Sequence, residues 1–288
     1  MNYSALIQNR KSVREFANKK VSSSVLEEIE SYHQHQCKRL LPGLKTELRI
    51  FGADAEQALE EAAGYNQFVI GAPQYLVLLS QKHAHAEENA GYVMEDLVLK
   101  MTDLDLGTCW LTFTDSARVK QALHIASELD VAAIIGFGYG AKAKKRILLN
   151  ILSMSNVDAS AKRHYFDPKR SVNDMVFVHT WGNQSGLDEQ IGFYDDMLWE
   201  SLYAASLSPS YLNRQAYGFV IRDGSIILVS TPDAYNTQID GDLSLGVVLL
   251  HFTSVASGWA GQIEWQLGAD AAALQLPEGY KVIASCRV

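Results

Sequence analysis

Apolar residues recur at helical spacing from Asn89 to Leu104, where Val93, Leu97, Val98, Met101 and Leu104 share one stripe. This predicts a long helix, broken by Gly107. Shorter helices are expected at Tyr3 to Gln8, Ala55 to Ala63, Tyr194 to Ala205 and Asp240 to Ser254. Another runs from Val25 to Arg39 behind a Ser22-Ser23-Ser24 cap, with Glu27 and Glu28 in its first turn. Runs rich in β-branched and aromatic residues predict strands at Leu48 to Phe51, Tyr75 to Ser80, Val131 to Gly138, Val176 to Val178 and Tyr217 to Arg222. Asp223-Gly224 turns that last strand into a hairpin with Ser225 to Val229, and late strands follow at Gln262 to Leu267 and Val282 to Cys286. Thr108 to Leu111 reads as loop or strand, and Lys142 to Lys169, without a strand period, as an excursion over the surface. Helices and strands interleave without clean βαβ alternation, which is an α+β pattern. Gln184 to Gly192 is the best linker, and after it the same elements return in shorter form.

Composition narrows the picture. The 288 residues are 48% hydrophobic and 20% charged, enough for one large domain or two smaller ones and unlike a mainly disordered chain. A net charge of -8 argues against a nucleic-acid partner, although it leaves room for a local basic pocket. Cys37, Cys109 and Cys286 lack CxxC spacing and fit a reducing compartment. Met1 to Ala5 leads into a polar segment, so no signal peptide is expected. The apolar stretch from Leu243 to Ala256 is interrupted by Ser244, His251, Thr253 and Ser254 and reads as too short and polar to span a bilayer. A cytoplasmic protein without a membrane partner is expected. No metal site is expected either, since His33 and His35 face different ways on a helix and His83 and His85 lack further ligands. Gly136-Phe137-Gly138-Tyr139-Gly140 lacks the glycine spacing and the later acidic residue of a dinucleotide fingerprint.

Two segments carry candidate chemistry. Arg10-Lys11-Ser12-Val13-Arg14-Glu15-Phe16 sets three cations and a hydroxyl within five residues. Such a set either grips a phosphate dianion or forms a solvated basic turn. Ser208-Pro209-Ser210-Tyr211-Leu212-Asn213-Arg214-Gln215-Ala216-Tyr217 places amides and hydroxyls after a helix and before a strand. Those groups either read the edge of a uracil-like ring or cap their own loop.

Together, the two segments resemble the nitroreductase family of FMN enzymes. That family pairs an Arg-(Arg/Lys)-Ser-x-Arg-x-Phe segment with a Pro-Ser-x-x-Asn-x-Gln-Pro-Trp-like loop. Here Ala216 and Tyr217 replace the last two residues of the loop. Leu104 to Trp110 and Ile134 to Gly140 resemble two further family turns, and Lys169-Arg170-Ser171-Val172 resembles the basic ending of an ordinary member. The loop, however, stands near residue 210 instead of after the second helix, where Cys37 to Leu44 has lost the match. The layout resembles a duplicated, fused group in the family: residues 1–183 as a first copy, 184–192 as a linker and 193–288 as a shortened second copy. Two unequal copies would then mimic the family homodimer as a pseudo-dimer, with a mostly antiparallel sheet flanked by helices.

The resemblance implies one FMN held by Arg10, Lys11, Ser12, Arg14, Lys169 and Arg170, with the ring beside Trp110, Leu111 and Thr112. Ser208, Pro209, Ser210, Asn213 and Gln215 would approach from the second half. It implies NAD(P)H as donor, a nitroaromatic or quinone-like acceptor, ping-pong turnover and no catalytic side-chain acid or base. A different flavin dehydrogenase chemistry, or a flavin-binding or flavin-free protein without turnover, stays open.

Overall fold

The computed structural model describes residues 1–64, 69–141, 146–153, 156–162, 168–189, 195–268 and 274–288. Helix α1 (Tyr3–Asn9) and helix α2 (Ser23–His35) precede strand β1 (Thr46–Gly52), helix α3 (Ala55–Glu60) and strand β2 (Gln74–Ser80). Helix α4 (Ala86–Asp103), strand β3 (Gly107–Leu111), helix α5 (Ser116–Ala122) and strand β4 (Asp130–Gly138) complete a four-stranded antiparallel sheet of order β1-β2-β4-β3. One face of this sheet packs on α2 and α4 through Leu76, Leu78, Ile135 and Phe137. The other face packs on α3 and α5 through Val77, Leu79 and Ile134.

The later elements are β5 (Arg146–Ser153), β6 (Asn156–Lys162), β7 (Val176–Val178), α6 (Asp195–Ser206), β8 (Tyr217–Arg222) and β9 (Ser225–Ser230). Helix α7 (Gln238–Ala256), β10 (Gln266–Leu267) and β11 (Lys281–Arg287) follow. The second sheet has the order β10-β11-β9-β8-β7. Its strands β8, β9, β11 and β10 repeat the order β1, β2, β4, β3, and in both sheets the long helix follows the second strand. The extra strand β7 pairs parallel with β8, Val176 against Phe219. The second sheet therefore draws one strand from before the expected linker.

The two sheets are joined by the crossing of α4 and α7, and glycine makes that crossing possible. A Cβ on Gly91 would lie 2.1 Å from the Leu243 carbonyl oxygen, and one on Gly246 would lie 1.9 Å from that of Glu88. Each helix thus presses its backbone onto the other three residues before the opposing glycine. Helix α7 has 19 residues and is long and apolar enough to cross a membrane, contrary to the reading from its polar interruptions. It is buried nearly all round because α4, α6 and the second sheet enclose it.

Several expected elements change under tertiary contacts. Helix α2 stops at His35, where Gln36 leaves helical geometry and the Lys38 amide donates to Asp96 on α4 instead of continuing the helix. Helix α3 likewise ends at Glu60. Residues 146–153 and 156–162 pair as antiparallel strands where a strandless excursion was expected, and 142–145, 154–155 and 163–167 of that stretch lie outside the described residues. The Gln262 to Leu267 strand contracts to the two residues of β10, and α5, capped by Asp115, had no counterpart among the expected elements.

Candidate functional site

Arg10 caps the C-terminal end of α1, and the chain after it runs extended along β3, with Ser12 paired to Thr108 and the Val13 amide donating to the Thr108 carbonyl at 2.8 Å. A Cβ on Gly107 would come within 2.6 Å of Val13, so glycine there lets the basic segment lie against the strand. Lys11 and Arg14 are exposed, whereas the Arg10 side chain is only 8% exposed. Arg14 and Arg10 both act on the Cys109 thiol, whose burial raises its pKa while the two cations pull it down. Arg10 and Arg14 therefore both lie near Cys109 in the middle of β3.

Arg10 turns inward toward Glu95 of α4, with Nε 3.6 Å from Oε1. That nitrogen is buried and has no hydrogen-bond partner among the described residues. The Trp110 indole N–H donates to Glu95 Oε2 at 3.1 Å, and His251 of α7 lies 3.0 Å from Oε1. Leu111 is buried at the end of β3, and the Thr112 hydroxyl donates to Asp240 at the start of α7 at 2.8 Å. Burial raises the Asp240 pKa, and the hydroxyls of Thr237 and Thr112 pull it back down.

The second cluster gathers residues 168–174 around the loop at 206–217. Lys169 Nζ donates to the Ser208 carbonyl at 3.0 Å and to Asn213 Oδ1 at 2.5 Å. The Arg170 amide donates to Gln215 Oε1 at 2.8 Å, and its guanidinium reaches the carbonyls of Gln215, Tyr217 and Asp174. Gln215 is 1% exposed and spends its amide nitrogen on the Ser206 carbonyl and the Tyr217 hydroxyl. Asn213 Nδ2 donates to the Pro168 carbonyl. Ser208 is buried, Pro209 and Ser210 are half-buried, and Ser210 Oγ accepts from the Gln215 amide at 2.9 Å. These contacts hold a loop in which Leu212, Asn213 and Gln215 all have positive φ (49°, 57° and 47°). Non-glycine residues rarely take that conformation unless the surroundings impose it.

Of the residues singled out from the sequence, Lys169 thus meets Ser208 and Asn213, Arg170 meets Gln215, which in turn holds Ser210, and Arg10 meets Trp110 through Glu95. The two clusters approach at the last turn of α6, where the Ala204 carbonyl faces His251 and the Ser206 carbonyl accepts from Gln215. Glu95, His251 and Asp240 were not anticipated. A glutamate and a histidine set inside otherwise apolar buried helical runs were the available signal.

The loop after α2 is anchored as the loop after α6 is. The Leu41 amide donates to Asn89 Oδ1 at 2.9 Å and the Tyr211 amide to Ser244 Oγ at 3.4 Å. Asn89 and Ser244 each stand two residues before the crossing glycine of their helix. In the first half this region is filled by Asp96, which is fully buried and accepts from the Tyr3 and Tyr32 hydroxyls, each at 3.0 Å, and from the Lys38 amide at 2.8 Å. Burial raises the Asp96 pKa while those donors oppose it, and burial together with Asp96 pushes both tyrosine hydroxyls far up.

A family model described as "Putative TM nitroreductase" matches residues 2–256. A "putative nitroreductase" of Thermotoga maritima has a similar solved structure over 100% of this chain and 94% of its own, with 20% identity and a TM-score of 0.58. A nitroreductase family protein of Clostridium novyi NT is similar over 49% of this chain and 86% of its own, at 20% identity and a TM-score of 0.43. A "putative nitroreductase in complex with FMN" from Desulfovibrio desulfuricans covers 51% of this chain and 92% of its own, at 19% identity and a TM-score of 0.42. A comparison with curated protein sequences finds no match.

Proposed function

The chain belongs to the family described as "Putative TM nitroreductase", and from that premise we propose that it is an FMN-dependent oxidoreductase driven by NAD(P)H, with a nitroaromatic or quinone-like acceptor. The observation that carries this reading is Arg10, whose buried Nε–H lacks a hydrogen-bond partner among the described residues, flanked in sequence by Lys11, Ser12 and Arg14. A buried cationic donor that lies 3.6 Å from Glu95 without a hydrogen bond, beside further cations, fits a phosphate dianion, which supplies charge and acceptors at once. Arg10 and Ser12, with Lys11 and Arg14 at the exposed rim, would hold the phosphate.

Trp110, Leu111 and Thr112 would border the ring on one side and the loop at 208–215 on the other. The Asn213 and Gln215 amides are committed inward, which leaves Pro209, Ser210 and the loop main chain as groups for the ring. Lys169 and Arg170 would then serve the site by shaping the loop. Bound there, FMN would supply two-electron transfer between NAD(P)H and the acceptor. We assign no side chain as a catalytic acid or base.

Residues 1–183 and 193–288 are read as two unequal copies joined by 184–192. The repeated strand order, the reciprocal glycines and the matched loop anchors support this reading. Only the first copy has an Arg-Lys-Ser-x-Arg segment, so one FMN per chain is expected. Absorbance of the purified chain, before and after anaerobic NADH or NADPH, tests the activity. Flavin bands that bleach support the proposal, and flavin bands that neither nucleotide bleaches reject the NAD(P)H-driven reaction.

A further inference from the structure

Glu95 on α4 and His251 on α7 have no solvent exposure and face each other across the helix crossing. Hydrogen-bond chemistry fixes how many protons the pair holds. His251 Nδ1 lies 3.1 Å from the Ala204 carbonyl, which only accepts, so this nitrogen carries a hydrogen. His251 Nε2 lies 3.0 Å from Glu95 Oε1, and that contact requires a second proton between ring and carboxyl group. Whether the proton sits on nitrogen or on oxygen, the pair is neutral as a unit. The other carboxyl oxygen takes the uncharged indole N–H of Trp110.

Arg10 therefore sits beside a carboxyl group whose charge a histidine from the second half already balances. Its Nε stays 3.6 Å from Oε1, too far for a hydrogen bond, although the side chain is almost enclosed. The three residues together carry one positive charge inside the protein.

We propose that His251 is a positioning residue for the anion grip of Arg10: by neutralising Glu95 across the helix crossing, it keeps the guanidinium charge available to the phosphate of FMN. This rests on the FMN reading above. Without the imidazole, Glu95 is an ionised carboxylate whose cationic neighbour is Arg10. The existing 3.6 Å contact then becomes a buried ion pair that no third group balances, and the net charge of the cluster falls from one to zero. Attraction between charges is strong in such an enclosed place, so the phosphate competes poorly for the guanidinium.

The test measures FMN and riboflavin affinity of the full chain by quenching of flavin fluorescence. His251→Gln should weaken FMN roughly tenfold or more, the scale of one lost charge-assisted contact, and leave riboflavin within about twofold. Adding Glu95→Gln removes the unbalanced carboxylate and should bring FMN affinity back to within about threefold of the unsubstituted chain. A purely structural role predicts instead that both flavins weaken together and that the second substitution does not restore binding, and this result would overturn the proposal. If His251→Gln does not fold, the double variant decides: FMN affinity near that of the unsubstituted chain supports the proposal, and a selective tenfold loss rejects it. An unsubstituted chain that binds neither flavin rejects the FMN reading itself, and the proposal with it.

Discussion

Replacing Gly246 by alanine adds one methyl group where α7 crosses α4. The new Cβ would lie 1.9 Å from the Glu88 carbonyl oxygen, about 1.5 Å short of the 3.4 Å at which ordinary contact begins. The obstacle is main chain, so no side-chain rotation relieves it, and the helices must separate. Overpacking of this kind costs about 1–3 kcal/mol or more, and backbone against backbone belongs at the upper end. Alanine in place of glycine returns about 1 kcal/mol of helix propensity. The net expectation is a loss of about 2 kcal/mol, which lowers the melting temperature by roughly 4 °C in a chain of this size. Gly91→Ala meets the Leu243 carbonyl at 2.1 Å and should behave alike. Because one displacement serves both methyl groups, the double variant should lose clearly less than the sum of the two singles. Thermal and urea unfolding followed by far-ultraviolet circular dichroism reads all three. An alanine at 246 that is neutral or stabilising, or two losses that simply add, would refute the argument that the glycines set the helix separation.

Arg10→Ala should weaken FMN by roughly ten- to a hundredfold while sparing riboflavin, which lacks the phosphate; equal weakening of both would remove Arg10 from the phosphate site. Asp242 is pushed up to about 6 by burial and by the neighbouring Glu88 and Glu87. Its folded-state pKa exceeds the unfolded one, so its contribution to stability falls as pH rises from about 4 to about 6. Asp242→Asn should flatten that slope and stabilise the chain near neutral pH by about 1 kcal/mol after solvent screening, read as urea midpoints on either side of the window. Residues 1–186 expressed alone should stay colourless, whereas co-expression with 187–288 should give a yellow complex, since β7 and α1 complete the packing of the second half; tight FMN binding by 1–186 alone would contradict a shared site.

Where apolar residues recur over a long helical stripe or a continuous β-branched and aromatic run, the sequence reading and the structure coincide. Helix α4 and strand β8 lie close to their expected places, although both are buried on more than one face. The misses are places where a partner distant in sequence decides. Asp96 captures the Lys38 amide and ends α2 early, and the alternation of Asn156–Lys162 rests on Val157 and two alanines, a weak strand signal because alanine is depleted in strands. Composition made α7 ambiguous, since a helix enclosed on every side is apolar all round and shows almost no preferred face. The basic segment and the 208–217 loop were legible as motifs, yet the inward commitment of Gln215 and Asn213 was not, because it depends on where residues 168–170 arrive. Glu95 and His251 come from helices 156 residues apart and acquire meaning only through their contact.

We propose that one FMN is held where the two halves meet, by the Arg10 to Arg14 segment of the first half. Titration of the flavin-free full chain with FMN, with phosphate analysis of the protein after gel filtration, tests it most directly. Saturation at one FMN per chain is the expected result. Two equivalents per chain would contradict the single grip, and a chain that takes up none would contradict the assignment of the site.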